Sequence, residues 1–199
     1  MVLLNTMQTK ETEIFYAATP SAWRKWLEKN HKSKLSVWLV FYSKNSKKKS
    51  LTWREAVDAA LCYGWIDSKK IKIDEDTSHQ FFSKRKARST WSKINKEKVG
   101  QLIAGGLMSE AGYKSIEIAK QNGSWTILDD VEELIIPKDL KAQLKGKPIA
   151  KDFLENLSRS AKKTILQWIV LAKRPETRQK RIAEIVEFAE LKLKPKHLQ

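Results

Sequence analysis

Hydrophobic residues change their spacing several times along the chain, and each change marks an element. After Thr19-Pro20, Trp23, Trp26 and Leu27 fall at i, i+3 and i+4, one face of a helix. Threonine before proline is a helix start, an N-cap followed by a residue whose φ is already helical. The run Val37-Trp38-Leu39-Val40-Phe41-Tyr42 is continuously apolar, β-branched or aromatic, and predicts a strand covered on both faces. A loop from Ser43 to Ser50 follows, carrying Lys44, Lys47, Lys48 and Lys49. Thr52-Trp53-Arg54-Glu55 has capping-box spacing. Trp53, Ala56, Val57, Ala60 and Leu61 then form an apolar helix stripe that Gly64 ends. Lys70-Ile71-Lys72-Ile73 alternates as a half-buried strand does, Asp74 to Ser78 turns, and Gln80-Phe81-Phe82 returns.

Beyond Asn95 the helical period takes over. Val99, Leu102 and Ile103 face inward on a helix stopped by Gly105-Gly106, and Ser109 starts another that ends at Asn122-Gly123. An acidic patch, Asp129, Asp130, Glu132 and Glu133, precedes Ile135-Ile136-Pro137. Pro137, Pro148 and Pro175 open short helices. Ala161, Ile165, Trp168, Ile169 and Ala172 make one amphipathic face, and Ile182, Ile185, Val186 and Ala189 another, expected to pack as an antiparallel pair. The expected fold is therefore α+β: a small antiparallel sheet packed with helices, followed by a C-terminal helical lobe. Its divisions are a disordered tail over 1–10, an α+β lobe over 11–130 and a helical module over 131–195, with the lobe boundary near 126–136.

Composition adds two constraints. The 199 residues include 39 Lys and Arg against 23 Asp and Glu, a net charge of +16, and a field of that sign favours anionic partners. Eight tryptophans weight the core toward aromatic packing, since each can bury roughly 150–250 Å². A single cysteine, Cys62, forbids an internal disulfide and fits a reducing compartment. The apolar start Met1-Val2-Leu3-Leu4 is too short for a signal peptide, and no run reaches the roughly 18 residues of a membrane span. The expected location is the cytoplasm.

Catalytic chemistry is thinly represented. His31, His79 and His197 make no ligand spacing with each other or with Cys62, no phosphate-binding glycine loop is present, and no cofactor is expected. A Cys62–His79 nucleophile and base pair stands against an inert thiol buried on a helix stripe. The segment Ser83-Lys84-Arg85-Lys86-Ala87-Arg88-Ser89-Thr90-Trp91-Ser92 puts four cations beside hydroxyls and an indole, just before a helix start near Asn95. Those groups suit a phosphate or carboxylate. A helix ending at Gly64 hands Trp65 and Asp67 to a strand, and Asp67 can meet Arg85 across the neighbouring strand. The candidate ligand site is Trp65, Asp67, Arg85, Ser89, Trp91 and Asn95. Its plain alternative is a structural ion pair and a solvated loop whose tryptophan plugs the core.

Two rival readings use overlapping residues. A nucleic-acid binder would use Lys84, Arg85, Lys86, Arg88, Trp91 and Lys93, with the cations of 84–88 and 44–49 forming one stripe beside Trp91. An enzyme or binder for a small anion would use a closed pocket at Trp65, Asp67 and Arg85. A further basic group, Lys162, Lys163, Lys173, Arg174, Arg178, Lys180 and Arg181, lies on the last two helices, where Lys173 and Arg174 suit a helix C-terminus.

Several of these strings resemble the YdeI/OmpD-associated, or bacteriocin-protection, family of bacterial proteins. They are Trp23-x-x-Trp26-Leu27 with Asn30-His31, Glu55-Ala56-Val57 with Ala60-Leu61-Cys62-Tyr63-Gly64-Trp65-Ile66-Asp67, and Ser89-Thr90-Trp91-Ser92-Lys93-Ile94-Asn95. Leu166-Gln167-Trp168-Ile169 with Ala172-Lys173-Arg174-Pro175-Glu176-Thr177-Arg178 resembles that family's C-terminal helical module. The family's Pro-Arg pair after the returning strand reads Lys84-Arg85 here. The resemblance implies a non-enzymatic binding protein linked to antimicrobial-peptide or envelope stress. A chain of charge +16 does not capture a cationic peptide by charge attraction, so protection of that kind would be indirect or act by covering anionic lipid.

Overall fold

The computed structural model describes residues 12–198, so the tail expected over 1–10 lies outside the described residues. Two units are present. Among the described residues, one comprises 12–89 and 94–122, the other 90–93 and 123–198.

The first unit is built on a four-stranded sheet of order β1-β2-β4-β3: β1 (Ile14–Tyr16), β2 (Ser36–Tyr42), β3 (Trp65–Lys72) and β4 (Thr77–Lys84). Three strands are antiparallel, but β1 runs parallel to β2. The sheet is therefore mixed and not the purely antiparallel one expected. The helix α1 (Pro20–Asn30) joins β1 to β2, and a parallel pair requires a crossover of that kind. The Thr19 hydroxyl accepts the Ala22 N–H at 3.2 Å, capping α1 above Pro20. Trp23, Trp26 and Leu27 are buried as the spacing predicts.

The second helix, α2 (Trp53–Cys62), carries the complete capping box, with Thr52 and Glu55 satisfying each other's backbone N–H groups. Those bonds from Thr52 hold the Glu55 carboxyl below its ordinary pKa. Gly64 follows at φ +69°, where a side chain would be strained. The stripe is correct from Ala56 onward, but Trp53 is 52% exposed. Helices α3 (Lys93–Ala104) and α4 (Glu110–Gln121) complete the unit. Val99 and Leu102 face inward, whereas Ile103 is exposed. Helix α4 docks on the end of α2: the Cys62 carbonyl accepts from both the N–H (3.1 Å) and the hydroxyl (2.6 Å) of Ser109. Gly112 sits so close that an added Cβ would stand 2.3 Å from the same carbonyl.

The strand expected at Lys70 begins five residues earlier, at Trp65, and a register shift between Asp67 and Lys70 interrupts it. Ile71 and Ile73 are exposed and not half-buried, because β3 is a sheet edge with few neighbours. On β2, Val37, Leu39 and Phe41 are buried while Trp38 and Tyr42 are partly open. The covering of both faces expected for this run is therefore incomplete.

The second unit is helical: α5 (Asp129–Glu132), α6 (Lys138–Gln143), α7 (Pro148–Asn156), α8 (Arg159–Val170) and α9 (Pro175–Glu190), then a 3-10 turn, Lys196–Leu198. Pro148 and Pro175 open α7 and α9, and Pro137 precedes α6 as its cap residue. Ile165, Leu166 and Ile169 of α8 join Ile182, Ile185, Val186 and Ala189 of α9 in one core, with Leu128, Val131 and Leu140 against them. Two arginines of α9 finish α8. Arg181 donates to the Trp168 carbonyl at 2.5 Å, and Arg178 to that of Ile169 at 3.3 Å while holding Asp139 through two nitrogens. Cations of α9 thus stand at the end of α8, where they suit its dipole.

Candidate functional site

The residues singled out around Asp67 divide between the two units. Asp67, at the start of β3, accepts the exposed Trp53 indole N–H at 2.8 Å and the buried Gln80 amide at 3.2 Å, both on Oδ2. Gln80 also donates to the Ser68 carbonyl at 3.0 Å. Arg85 continues β4, and its backbone N–H donates to Gly64 at 2.9 Å. Burial pulls its guanidinium pKa down to about 10, with the Asp67 carboxylate acting in the opposite direction. The Trp65 indole is wholly buried, 5.8 Å edge-on from Trp26, and its N–H has no hydrogen-bond acceptor among the described residues. Ser89 closes a turn onto Lys86 at 2.8 Å, and Asn95 lies in the first turn of α3, half-buried. Trp91 belongs to the second unit, 1% exposed, with its ring 5.0 Å from Trp125. Buried indoles at 65 and 91 present no ring to solvent.

Cys62 is wholly buried, and burial pushes its thiol pKa up, against the pull of Arg24. A thiol held neutral is a poor nucleophile.

The stripe of cations does not form. Tyr42 pairs with Thr77 at one end of the β2–β4 ladder and Ser36 with Ser83 at the other. The 44–49 loop leaves from the first end and the 85–88 loop from the second, roughly 20 Å apart at the rise of a strand. Lys84 is turned back onto the Lys32 carbonyl at 2.7 Å, and Lys93 meets Glu133 at 3.3 Å.

A different surface collects aromatic and cationic groups. Side chains alternate across the sheet. Phe15, Val37, Leu39, Phe82 and Trp65 share the face on which α1 packs, through ring contacts of Trp23 and Trp26 with Phe15, Phe82 and Trp65. The opposite face carries Ile14 and Tyr16 on β1, Trp38, Val40 and Tyr42 on β2, His79 and Phe81 on β4, and Ile71 on β3. Ile14 is 59% exposed and Tyr16 42%, while Trp38, Tyr42, His79 and Phe81 are partly open. Trp38 and Phe81 are register partners with ring centroids 4.9 Å apart, edge to face. His79 lies 6.5 Å from Trp38, and Tyr16 lies 5.4 Å from Tyr42. The Lys69 ammonium stands 5.2 Å from the Trp38 centroid and 5.7 Å from that of Phe81, and Lys48 lies 5.3 Å from Tyr42. The sequence signal for this face was present in alternate aromatic positions of two paired strands. It was masked because the neighbouring positions are apolar too.

Residues 133–190 match the family described as Bacteriocin-protection, YdeI or OmpD-Associated. Residues 15–115 match the family described as Domain of unknown function (DUF8412), just over half of the chain. The chain belongs to the DUF8412 family and carries a YdeI/OmpD-associated module. No curated protein and no solved structure matches it. The DUF8412 segment contains β2, β3, β4 and all of β1 but Ile14, so the aromatic rings of the open face lie in that part. The YdeI/OmpD-associated segment contains α6 to α9. Within its unit lies an apolar groove of about 120 Å³ floored by Leu140, Ile165 and Leu166, with Leu134, Ile136 and Lys162 on its walls. Among the described residues no helix is long and apolar enough to cross a membrane.

Proposed function

We propose that this DUF8412 protein is a non-enzymatic binding protein whose N-terminal unit receives a polyanionic partner on the open face of its sheet. One observation carries the reading: a lysine ammonium poised over two adjacent, partly open aromatic rings, Trp38 and Phe81. Rings on an open face offer contact area, and a cation among them offers charge recognition. The overall charge of +16 would draw an anion toward the protein from a distance. The buried, neutral Cys62 thiol supports the non-enzymatic part. The Asp67 cluster reads as support for this sheet, since its carboxylate is already engaged by Trp53 and Gln80. A contribution to envelope or peptide stress would then act through an anionic partner and not through the cationic peptide itself.

Fluorescence anisotropy with labelled heparin at low and near-physiological salt tests this. Binding in the micromolar range or weaker, falling with salt, is expected, as for non-specific polyanion contacts. The Lys48→Glu, Lys69→Glu double variant should weaken it. Absence of binding at low salt, or full binding by that variant, would overturn the assignment.

A further inference from the structure

We infer that the occupant of the open sheet face is single-stranded nucleic acid, its bases stacking on Trp38 and Phe81 while Lys69 and Lys48 meet the phosphates. The inference rests on the preceding reading of this face as a polyanion site and names its ligand class.

Three features of the face favour this ligand over other polyanions. The first is the spread of aromatic rings. Phe81 and His79 on β4, Trp38 and Tyr42 on β2 and Tyr16 on β1 place π surfaces on three adjacent strands, which lie about 4.8 Å apart. Sulfated sugars and polyphosphate need cations but have no flat aromatic rings to stack. A strand of unpaired bases uses both, and stacking accepts any base because each has a π face.

The second is the origin of Lys69's position. Asp67 pairs with Phe82 and Lys70 with Gln80, so β3 holds one more residue than β4 across this interval. Without that extra residue, strict alternation would put Lys69 on the same face as Asp67, toward α1. The bulge turns it onto the face of Trp38 and Phe81. Bulges re-aim side chains in this way, often beside functional sites.

The third is that the cation–ring contact can be exchanged. Lys69 rests on ring surface that a base would occupy, and its flexible stem lets the ammonium swing to the adjoining phosphate as the base arrives. The ammonium lies over part of the ring surface until then, and the charge is used in both states. Carboxylates bound the site on one side: Asp74, Glu75 and Asp76 occupy the β3–β4 turn beyond Thr77. Repulsion there directs a phosphate chain across the Trp38 and Phe81 part of the sheet. A duplex keeps its bases stacked inside, where rings on a sheet surface do not reach them.

The test uses the full chain in anisotropy titrations with labelled oligo(dT), oligo(U), a blunt duplex and heparin, each nucleic acid about 12 nucleotides long, within the usual range of single-strand sites. Single strands should bind at least roughly 10-fold tighter than the duplex. Trp38→Ala should weaken single-strand binding by roughly 5- to 150-fold, the range that loss of one ring–base stack gives, and leave heparin binding within about twofold. Trp38→Phe, which keeps a ring, should restore most of the affinity, and Phe81→Ala provides a second truncation. Lys69→Ala should reduce the log–log salt slope on single strands by about 0.7. Equal affinity for single strands and duplex, with Trp38→Ala and Phe81→Ala both silent, would overturn the nucleic-acid inference and leave a purely electrostatic face. Failure of single strands, duplex and heparin alike at low salt would overturn the underlying function as well. The oligo(dT) and oligo(U) arms separate DNA from RNA.

Discussion

The Asp67 side chain ties β3 to α2 and to β4. Its carboxylate accepts from an exposed indole and from a buried amide, and it supplies the counter-charge felt by the half-buried Arg85. Asp67→Ala should therefore destabilise the protein by roughly 1–3 kcal/mol, the usual penalty when a buried donor loses its acceptor. Asp67→Asn, which keeps an acceptor oxygen, should lose less. Urea midpoints measure both, and an unchanged midpoint for the alanine variant would free Asp67 for ligand duty. Single residues are where the local sequence says least. Trp53 was placed in an apolar stripe, but an indole carries an N–H that seeks an acceptor, and Asp67 offers one at the surface. Trp91 sits among cations and hydroxyls, and the sequence leaves open whether it stacks on a ligand or plugs the core; its burial with Trp125 depends on a residue 34 positions away. The roles of Arg178 and Arg181 at the end of α8 were equally hidden, since they come from the following helix.

Elements with strong local signals were legible: α1 and α2 from their caps and spacing, α4 from Ser109, and α7 and α9 from their prolines. Elements fixed by partners were not. Strand β1 has three residues, too few for a period, and exists because β2 offers it an edge. The early start of β3 and its bulge are properties of pairing with β4, which spacing alone does not encode. The junction of α2 with α4 makes a sharp prediction at this scale. Gly112 stands against the Cys62 carbonyl, which Ser109 also binds. Gly112→Ala would improve helix propensity slightly, but its methyl group would meet backbone that has little room to move. The expected net effect is a loss of roughly 1–3 kcal/mol, as for overpacking elsewhere, seen as a lower thermal midpoint. A neutral or stabilising result would show that α4 can shift away from α2.

Across the whole molecule, excess positive charge coexists with carboxylates that are well engaged. Hydrogen bonds from Arg178 hold Asp139 below its ordinary pKa of 3.8, as the ammonium of Lys34 does for Glu13 and that of Lys163 for Glu132, both below 4.5. Because these folded values lie below the unfolded ones, the stabilisation is complete above the ordinary carboxylate range. It is lost as pH falls through the lower, folded values. Melting temperature should therefore drop on the acid side, and Asp139→Asn should flatten that drop while lowering stability near neutrality. The Asp139 pair is partly exposed, so its share is on the order of 1 kcal/mol or less; an unchanged acid limb would assign the drop to other groups. Residues 90–93 belong with 123–198, although 94–122 lie between them in sequence. A graft taken from Gly123 onward would carry the whole YdeI/OmpD-associated segment and still arrive without Trp91, the ring paired with Trp125. The module is therefore not a cassette that a single crossover can move. Splicing it into another protein requires a donor piece that starts before Thr90, and with it the two helices of its neighbour.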